Sequence, residues 1–171
     1  MKRKTIILIP LLMLIAGVLL MTSCIRDDDE SIAKDKMEQL MATIENKDSV
    51  ALRSLFSDNK LVNIENFGIK ADALFSYVQG NYVPLVGVGP AAFAQKENGK
   101  VSKYFLINSD ITTTDKTYKI AIIWYITDTA DTGNEGIWSL YIIDKDTAPQ
   151  EQALLTYWGH DDYIPGIHIG N

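Results

Sequence analysis

The hydrophobic period of this chain changes from helical to two near Tyr82, and that switch constrains the fold more than any other feature. Before it, apolar residues recur at i, i+3/i+4 and i+7; after it, they alternate. Helices first and strands second point to the α+β class, with helices packed on one face of a curved antiparallel sheet.

The helical half resolves into three stretches. Ala33, Met37, Leu40, Met41 and Ile44 share one face, broken at Asn46-Lys47. Asp48 is placed to cap a second helix carrying Ala51, Leu52, Leu55 and Phe56, which Ser57-Asp58-Asn59 ends. Phe67, Ala71, Leu74, Phe75 and Val78 line a third, stopped by Gly80-Asn81. These stripes read as core rather than as a cofactor box.

In the strand half, Val83 to Ala94 is extended but interrupted by Pro84, Gly87, Gly89 and Pro90, so it is bulged or at an edge. Asn98-Gly99 is a hairpin signal leading into a strand at Val101 to Ser109. Thr117 to Thr127, Ile137 to Asp144 and Leu154 to Trp158 complete an expected antiparallel meander. Strict alternation puts Ile120, Ile122, Trp124 and Ile126 on one face, with Ala121, Ile123 and Tyr125 on the other. In the next strand it groups Trp138, Leu140 and Ile142 against Ile137, Tyr141 and Ile143. Both faces are apolar, so both are expected to be partly covered. Either a loop or the C-terminal tail lies over the far face, or the chain forms a homodimer through the sheet.

The first two dozen residues carry a different message. Lys2, Arg3 and Lys4 precede an apolar run to Leu20, and Ser23 stands directly before Cys24, the one cysteine. Basic start, apolar core and small residue form the layout of an export signal. The stretch Leu20-Met21-Thr22-Ser23-Cys24 resembles the lipobox of bacterial lipoproteins, with Met21 where leucine is usual. The resemblance implies cleavage before Cys24 and a diacylglycerol on its sulfur. The alternative, a plain membrane-spanning anchor, needs about 20 apolar residues, and the run is shorter. A lone cysteine in an exported chain asks for an explanation, and acylation supplies one. Two or more acyl chains make a stable tether. Ile25 follows the cysteine, so the aspartate linked to inner-membrane retention is absent there. The expected organisation is a signal peptide over 1–23, a lipidated tether over 24–30 and a single domain over 31–171. Its place would be the extracytoplasmic face of a cell membrane.

Charge narrows the partners. The net charge is −6, and the signal would take three basic residues with it, leaving the domain more acidic still. That argues against nucleic acid and against an anionic lipid surface.

Met37-x-x-Leu40 followed by Asn46-Lys47-Asp48-x-x-Ala51-Leu52-x-x-Leu55-Phe56-Ser57 resembles the opening of nuclear-transport-factor-like domains, the cone fold shared with ketosteroid isomerases. Ala73-Leu74-Phe75-x-Tyr77-x-x-Gly80, Tyr118-x-Ile120 on to Thr127, Asn134-x-Gly136-x-Trp138-Ser139-Leu140, Thr156-Tyr157-Trp158-Gly159 and Pro165-Gly166-Ile167 resemble, in that order, a family of uncharacterised bacterial lipoproteins with this fold. The resemblance implies a fold and a location but no reaction.

Two function classes follow. Enzymes of the cone fold place Asp, His or Tyr in a pocket between sheet and helices, where a shielded group can be tuned for proton transfer. Tyr77, Tyr125, Tyr141 and His160 are polar-tipped candidates for an acid–base enzyme acting on a small organic substrate, but none aligns with the isomerase catalytic set. The favoured class is a non-catalytic domain binding a small ligand or a protein. Its candidate ligand-binding residues are Tyr77, Trp124, Tyr125, Trp138, Tyr141, Trp158 and His160, since aromatic side chains dominate binding hot spots. Tyr157 belongs to the same aromatic patch, with Tyr163 at its rim. His160 with Asp161, Asp162 or His168 offers too few ligands for a metal. Asp128 to Glu135 spaces its acids unlike a calcium-binding hand and reads as a solvated hairpin loop. No cofactor is expected.

Overall fold

The computed structural model describes residues 28–146 and 164–170. Helix α1 occupies residues 28–45, so Asp28, Asp29 and Glu30 are already helical. Ala33, Met37, Leu40, Met41 and Ile44 are its buried stripe, each at most 3% exposed. Lys47 turns the chain with a positive φ of 53°. Asp48 then caps α2 (Ser49–Leu55), its carboxylate accepting the N–H of Val50 at 3.0 Å and of Ala51 at 2.9 Å. That satisfies two of the N–H groups a helix start leaves without partners.

Where three helices are expected, the described residues hold four. Ser57-Asp58-Asn59 does not simply end α2; it starts a one-turn helix, α3 (Asp58–Leu61). Polar side chains hold that turn. Ser57 Oγ donates to the Gly133 carbonyl at 2.8 Å, and Asn59 Nδ2 donates to Asp131 at 2.8 Å and to Asn134 at 3.0 Å. Helix α4 (Phe67–Tyr77) buries Phe67, Ala71, Leu74 and Phe75, and Phe67 meets Phe56 edge to face at 5.3 Å.

The six strands are β1 (Tyr82–Val83), β2 (Ala91–Glu97), β3 (Lys100–Thr113), β4 (Thr117–Asp128), β5 (Gly136–Asp144) and β6 (Gly166–Ile169). They form one curled, half-barrel sheet with the helices in its hollow. The order is β1-β3-β4-β5-β6, and β2 also pairs with β3. The free edge of β3 is shared: Thr112 and Thr113 take β1, while Lys100 to Leu106 take β2. Asn98 and Gly99, at φ 51° and 80°, make the expected two-residue hairpin. The irregular stretch between β1 and β2 drops Val88 into the core at 1% exposure.

Two features depart from the expected meander. Strand β6 was not anticipated, and it runs parallel to β5, so the sheet is antiparallel except at this edge. The strand expected at Leu154 to Trp158 lies outside the described residues. The second departure is a pair of bulges. Between the pairs Ile123–Ser139 and Trp124–Ile137, β5 carries one residue more than β4, and that residue is Trp138. Between Tyr104–Tyr125 and Lys103–Thr127, β4 likewise has Ile126 in excess over β3. An inserted residue reverses the sidedness of what lies beyond it. Ile137 therefore joins Leu140 and Ile142 in the core, and Trp138 turns to the outer face. This corrects the grouping of Trp138 with Leu140 and Ile142. On β4 the simple alternation holds through Trp124: Ile120, Ile122 and Trp124 are core, while Ala121 packs with Ile143 and Tyr141 on the outer side.

Candidate functional site

The hollow of the sheet is filled. Phe105, Ile107, Ile111, Ile120, Ile137, Leu140 and Ile142 are fully buried there, against Met37, Leu40, Leu52 and Leu74 of the helices. Tyr77 and Tyr82 pack against this cluster, and the phenol of Tyr118 is buried within it. That hydroxyl accepts from Gln79 N–H at 2.9 Å and donates to the Tyr77 carbonyl at 3.1 Å.

The outer face is different. Phe93 of β2, Tyr104 of β3, Tyr125 of β4 and Trp138 of β5 form a row of stacked rings across four strands. Centroids lie 5.1, 5.0 and 4.0 Å apart, with planes tilted by 10°, 22° and 15°. These spacings follow the roughly 4.8 Å between neighbouring strands, so the rings stand on edge above the sheet. Lys60 of α3 places its ammonium 3.8 Å from the Trp138 centroid and closes one end by a cation–π contact. The Trp138 indole N–H donates to the Asn134 carbonyl at 2.8 Å. Apart from the outward side of Phe93, which is 42% exposed, the ring faces are spent on each other and on Lys60.

A groove of about 530 Å³ runs beside this row, with Tyr125 and Trp138 on one side and Gln95, Lys100, Ser102 and Asp128 around it. Asp128 is fixed by Asn134 Nδ2 at 2.9 Å and by the N–H groups of Ala130 and Asp131 at 2.9 and 3.2 Å. The Asn134 bond first, and the backbone bonds with it, hold its carboxyl below the usual carboxylate range. Burial pushes the Tyr125 phenol up, and Tyr104 and Asp128 add to this. Both groups keep their charge state near neutrality, so the groove offers an anion, a cation, an amide and hydroxyls around aromatic edges. That suits recognition by hydrogen bonds better than proton transfer, which needs a group titrating near the working pH. A smaller hollow of about 350 Å³ lies by the ends of α1 and α4. There Glu45 is taken by the Tyr82 N–H at 2.9 Å.

Five of the seven candidates from the sequence fall in four places. Tyr125 and Trp138 meet at the groove. Trp124 is core, 2% exposed, with the Lys36 ammonium 5.4 Å from its ring. Tyr77 is a clasp: its hydroxyl accepts the Asp144 N–H at 2.8 Å, and its ring leans on Tyr118 at 5.8 Å. Tyr141 stacks on His168 at 4.1 Å, on the same outer face but nearer β6. His168 Nε2 lies 3.0 Å from the Ile164 carbonyl, and burial, with the charge of Lys70, pushes its imidazole pKa down. Trp158 and His160 lie outside the described residues, as do Tyr157 and Tyr163. Phe93, Tyr104 and Lys60 were missed. A signal for the first two was present: counting outward from the Asn98-Gly99 turn sets Phe93 opposite Tyr104. Nothing in the sequence brings Lys60 to Trp138.

The acidic loop is built rather than merely solvated. Asp131 accepts from Gly133 N–H at 3.0 Å, Glu135 accepts from Asp128 N–H at 3.0 Å, and the loop grips α3 through Asn59. Among the described residues, no three His, Cys, Asp or Glu side chains converge as a metal site. No helix among them is long and apolar enough to cross a membrane.

The chain belongs to the family described as Domain of unknown function (DUF5104), whose model matches residues 39–145. That span runs from the middle of α1 to the end of β5 and contains every residue of the ring row. No curated protein matches the chain in sequence.

Proposed function

We propose that this member of the DUF5104 family is a bacterial lipoprotein, anchored through a diacylglycerol on Cys24, whose domain binds a ligand or protein outside the cytoplasm without transforming it. The observation that supports a binding role is the contrast between the two faces of the sheet. The hollow, where cone-fold enzymes keep their catalytic groups, is packed with apolar side chains. The open groove on the other face is lined by Tyr125, Trp138, Gln95, Lys100, Ser102 and Asp128. With ring faces already stacked, a partner would be held by hydrogen bonds to these polar groups and by contact with ring edges. The layout of residues 1–24 supports the anchor, and α1 beginning by residue 28 leaves a short tether from Cys24.

Two measurements test the two halves separately. Cys24→Ala should accumulate uncleaved precursor or release the protein from membranes; unchanged processing and membrane retention would refute the anchor. For binding, the protein is purified from its producing cell under native conditions and weighed by mass spectrometry. A retained mass that Gln95→Ala and Ser102→Ala both lose, with unchanged melting, supports the groove. A retained mass indifferent to both places binding elsewhere.

A further inference from the structure

We propose that β2 is a self-pairing edge, through which two copies of this chain join their sheets in an antiparallel strand pair centred on Phe93. All seven residues of β2 are exposed, and among the described residues the strand pairs only with β3. Natural edges are blunted by charges, prolines or inward-pointing polar groups, because their unpaired N–H and C=O groups template further strands. From Ala91 to Gln95 this edge has no charge and no proline; Lys96 and Glu97 stand next to the turn.

Hairpin geometry says which groups are free. In a two-residue hairpin, the residues flanking the turn exchange both backbone bonds, and bonding then alternates along the pair. Here Glu97 flanks the turn opposite Lys100, so Glu97, Gln95, Phe93 and Ala91 bond to β3. The N–H and C=O groups of Ala92, Ala94 and Lys96 face the open edge.

A second copy fits that edge because the segment is self-complementary. Antiparallel pairing about Phe93 sets Ala92 against Ala94, Ala91 against Gln95 and Phe93 against itself, with no like charges opposed. The Ala92–Ala94 pairs are the bonded ones. Phe93 falls in the close, non-hydrogen-bonded position, where Cα atoms are about 4.5 Å apart. The ring row gives an independent reason. At the β5 end Lys60 caps Trp138, but at the β2 end Phe93 is stacked on Tyr104 by one face and is 42% exposed. A two-fold axis at Phe93 lets the row of one copy run into the row of the other. Pairing stops where Lys96 meets Pro90, so the interface is short and of the dissociable class. It is independent of the acyl anchor, and anchoring two copies in one membrane would raise their effective concentration.

The test is the mass of the full chain in density-matched detergent, by sedimentation equilibrium up to concentrations of about 100 µM, where a small interface is populated. Wild-type protein should shift from monomer to dimer as concentration rises. Ala94→Pro removes an N–H that faces the open edge and not β3, so the hairpin keeps its own bonds. Phe93→Lys opposes like charges on the axis. Each variant should stay monomeric over the same range with the wild-type circular dichroism spectrum; Phe93→Lys should melt somewhat lower because it loses the stack on Tyr104. A wild-type protein that is monomeric throughout would overturn the proposal, including the case in which the edge takes a strand from a different protein. So would a dimer that survives both substitutions, which would place the contact elsewhere.

Discussion

Gly136→Ala should be among the most damaging single-methyl additions in this domain, and its cost can be separated into two parts. Gly136 opens β5 at φ +117°, a conformation that side-chain-bearing residues rarely adopt. A Cβ there would lie 2.6 Å from the Ser57 nitrogen, 2.8 Å from the Phe56 carbonyl carbon and 2.9 Å from the Leu55 oxygen. All three are backbone atoms at the exit of α2. They cannot retreat freely, because Ser57 N–H donates to the Ile137 carbonyl at 3.0 Å. Holding such a φ costs about 1–3 kcal/mol, and forcing a methyl into filled space adds about 1–3 kcal/mol. The expected loss is about 3–5 kcal/mol, a large share of the roughly 5–15 kcal/mol that holds a domain together. Gly99→Ala is the control. Its φ is +80°, and its Cβ would meet nothing within 4 Å, so only backbone strain of about 1–2 kcal/mol applies. Urea unfolding followed by tryptophan fluorescence would report both variants. With a slope of about 1.5 kcal/mol/M, Gly136→Ala should lower the midpoint by about 2–3 M, and Gly99→Ala by about 1 M. Equal shifts would refute the claim that contact with the α2 exit requires glycine at 136.

Asp48→Ala should cost about 1 kcal/mol by removing the α2 cap, read as a lower melting temperature that Asp48→Asn largely restores; equal melting of all three proteins would contradict the capping geometry. The His168 imidazole is held below its ordinary pKa of 6.5, so the unfolded chain takes up its proton first. Stability should be complete above pH 6.5 and fall as pH drops toward the lower folded value; His168→Phe should flatten that limb of a stability–pH curve, and an unchanged limb would refute the assignment. Tyr125 and Trp138 should couple by about 0.5–1.5 kcal/mol in a double-mutant cycle to alanine, the range for stacked ring pairs; zero coupling would mean the row is only a by-product of strand register.

Local chemistry was the legible part. The stripe from Ala33 to Ile44, the Asp48 cap, the Asn98-Gly99 turn and the long strand from Thr117 each depend on neighbours within one or two turns of chain, and the structure has all of them. Less legible was the sidedness of the late strands. Alternation gives Trp138 to the core, yet a bulge against β4 exchanges it with Ile137. A bulge belongs to a pair of strands, and neither strand shows it alone. The same limit hid the groove: Phe93 and Tyr104 could be paired by counting from the Asn98-Gly99 turn, and Tyr104 and Tyr125 keep the register that starts at Thr112 and Thr117, but Trp138 joins Tyr125 on the outer face only because it is the extra residue of β5.

By itself, then, the sequence determined the class of the fold, because the period of apolar residues decides whether a segment can bury one face as a helix or as a strand. It determined the points where the chain turns, because capping carboxylates and positive-φ positions act within a few residues. Only the tertiary structure decided that β6 closes the sheet in parallel, that Lys60 caps the ring row, and that Gly136 must yield to the exit of α2. Each of these joins residues far apart in the chain, and their contact exists only once the helices have filled the hollow and set which strand lies beside which.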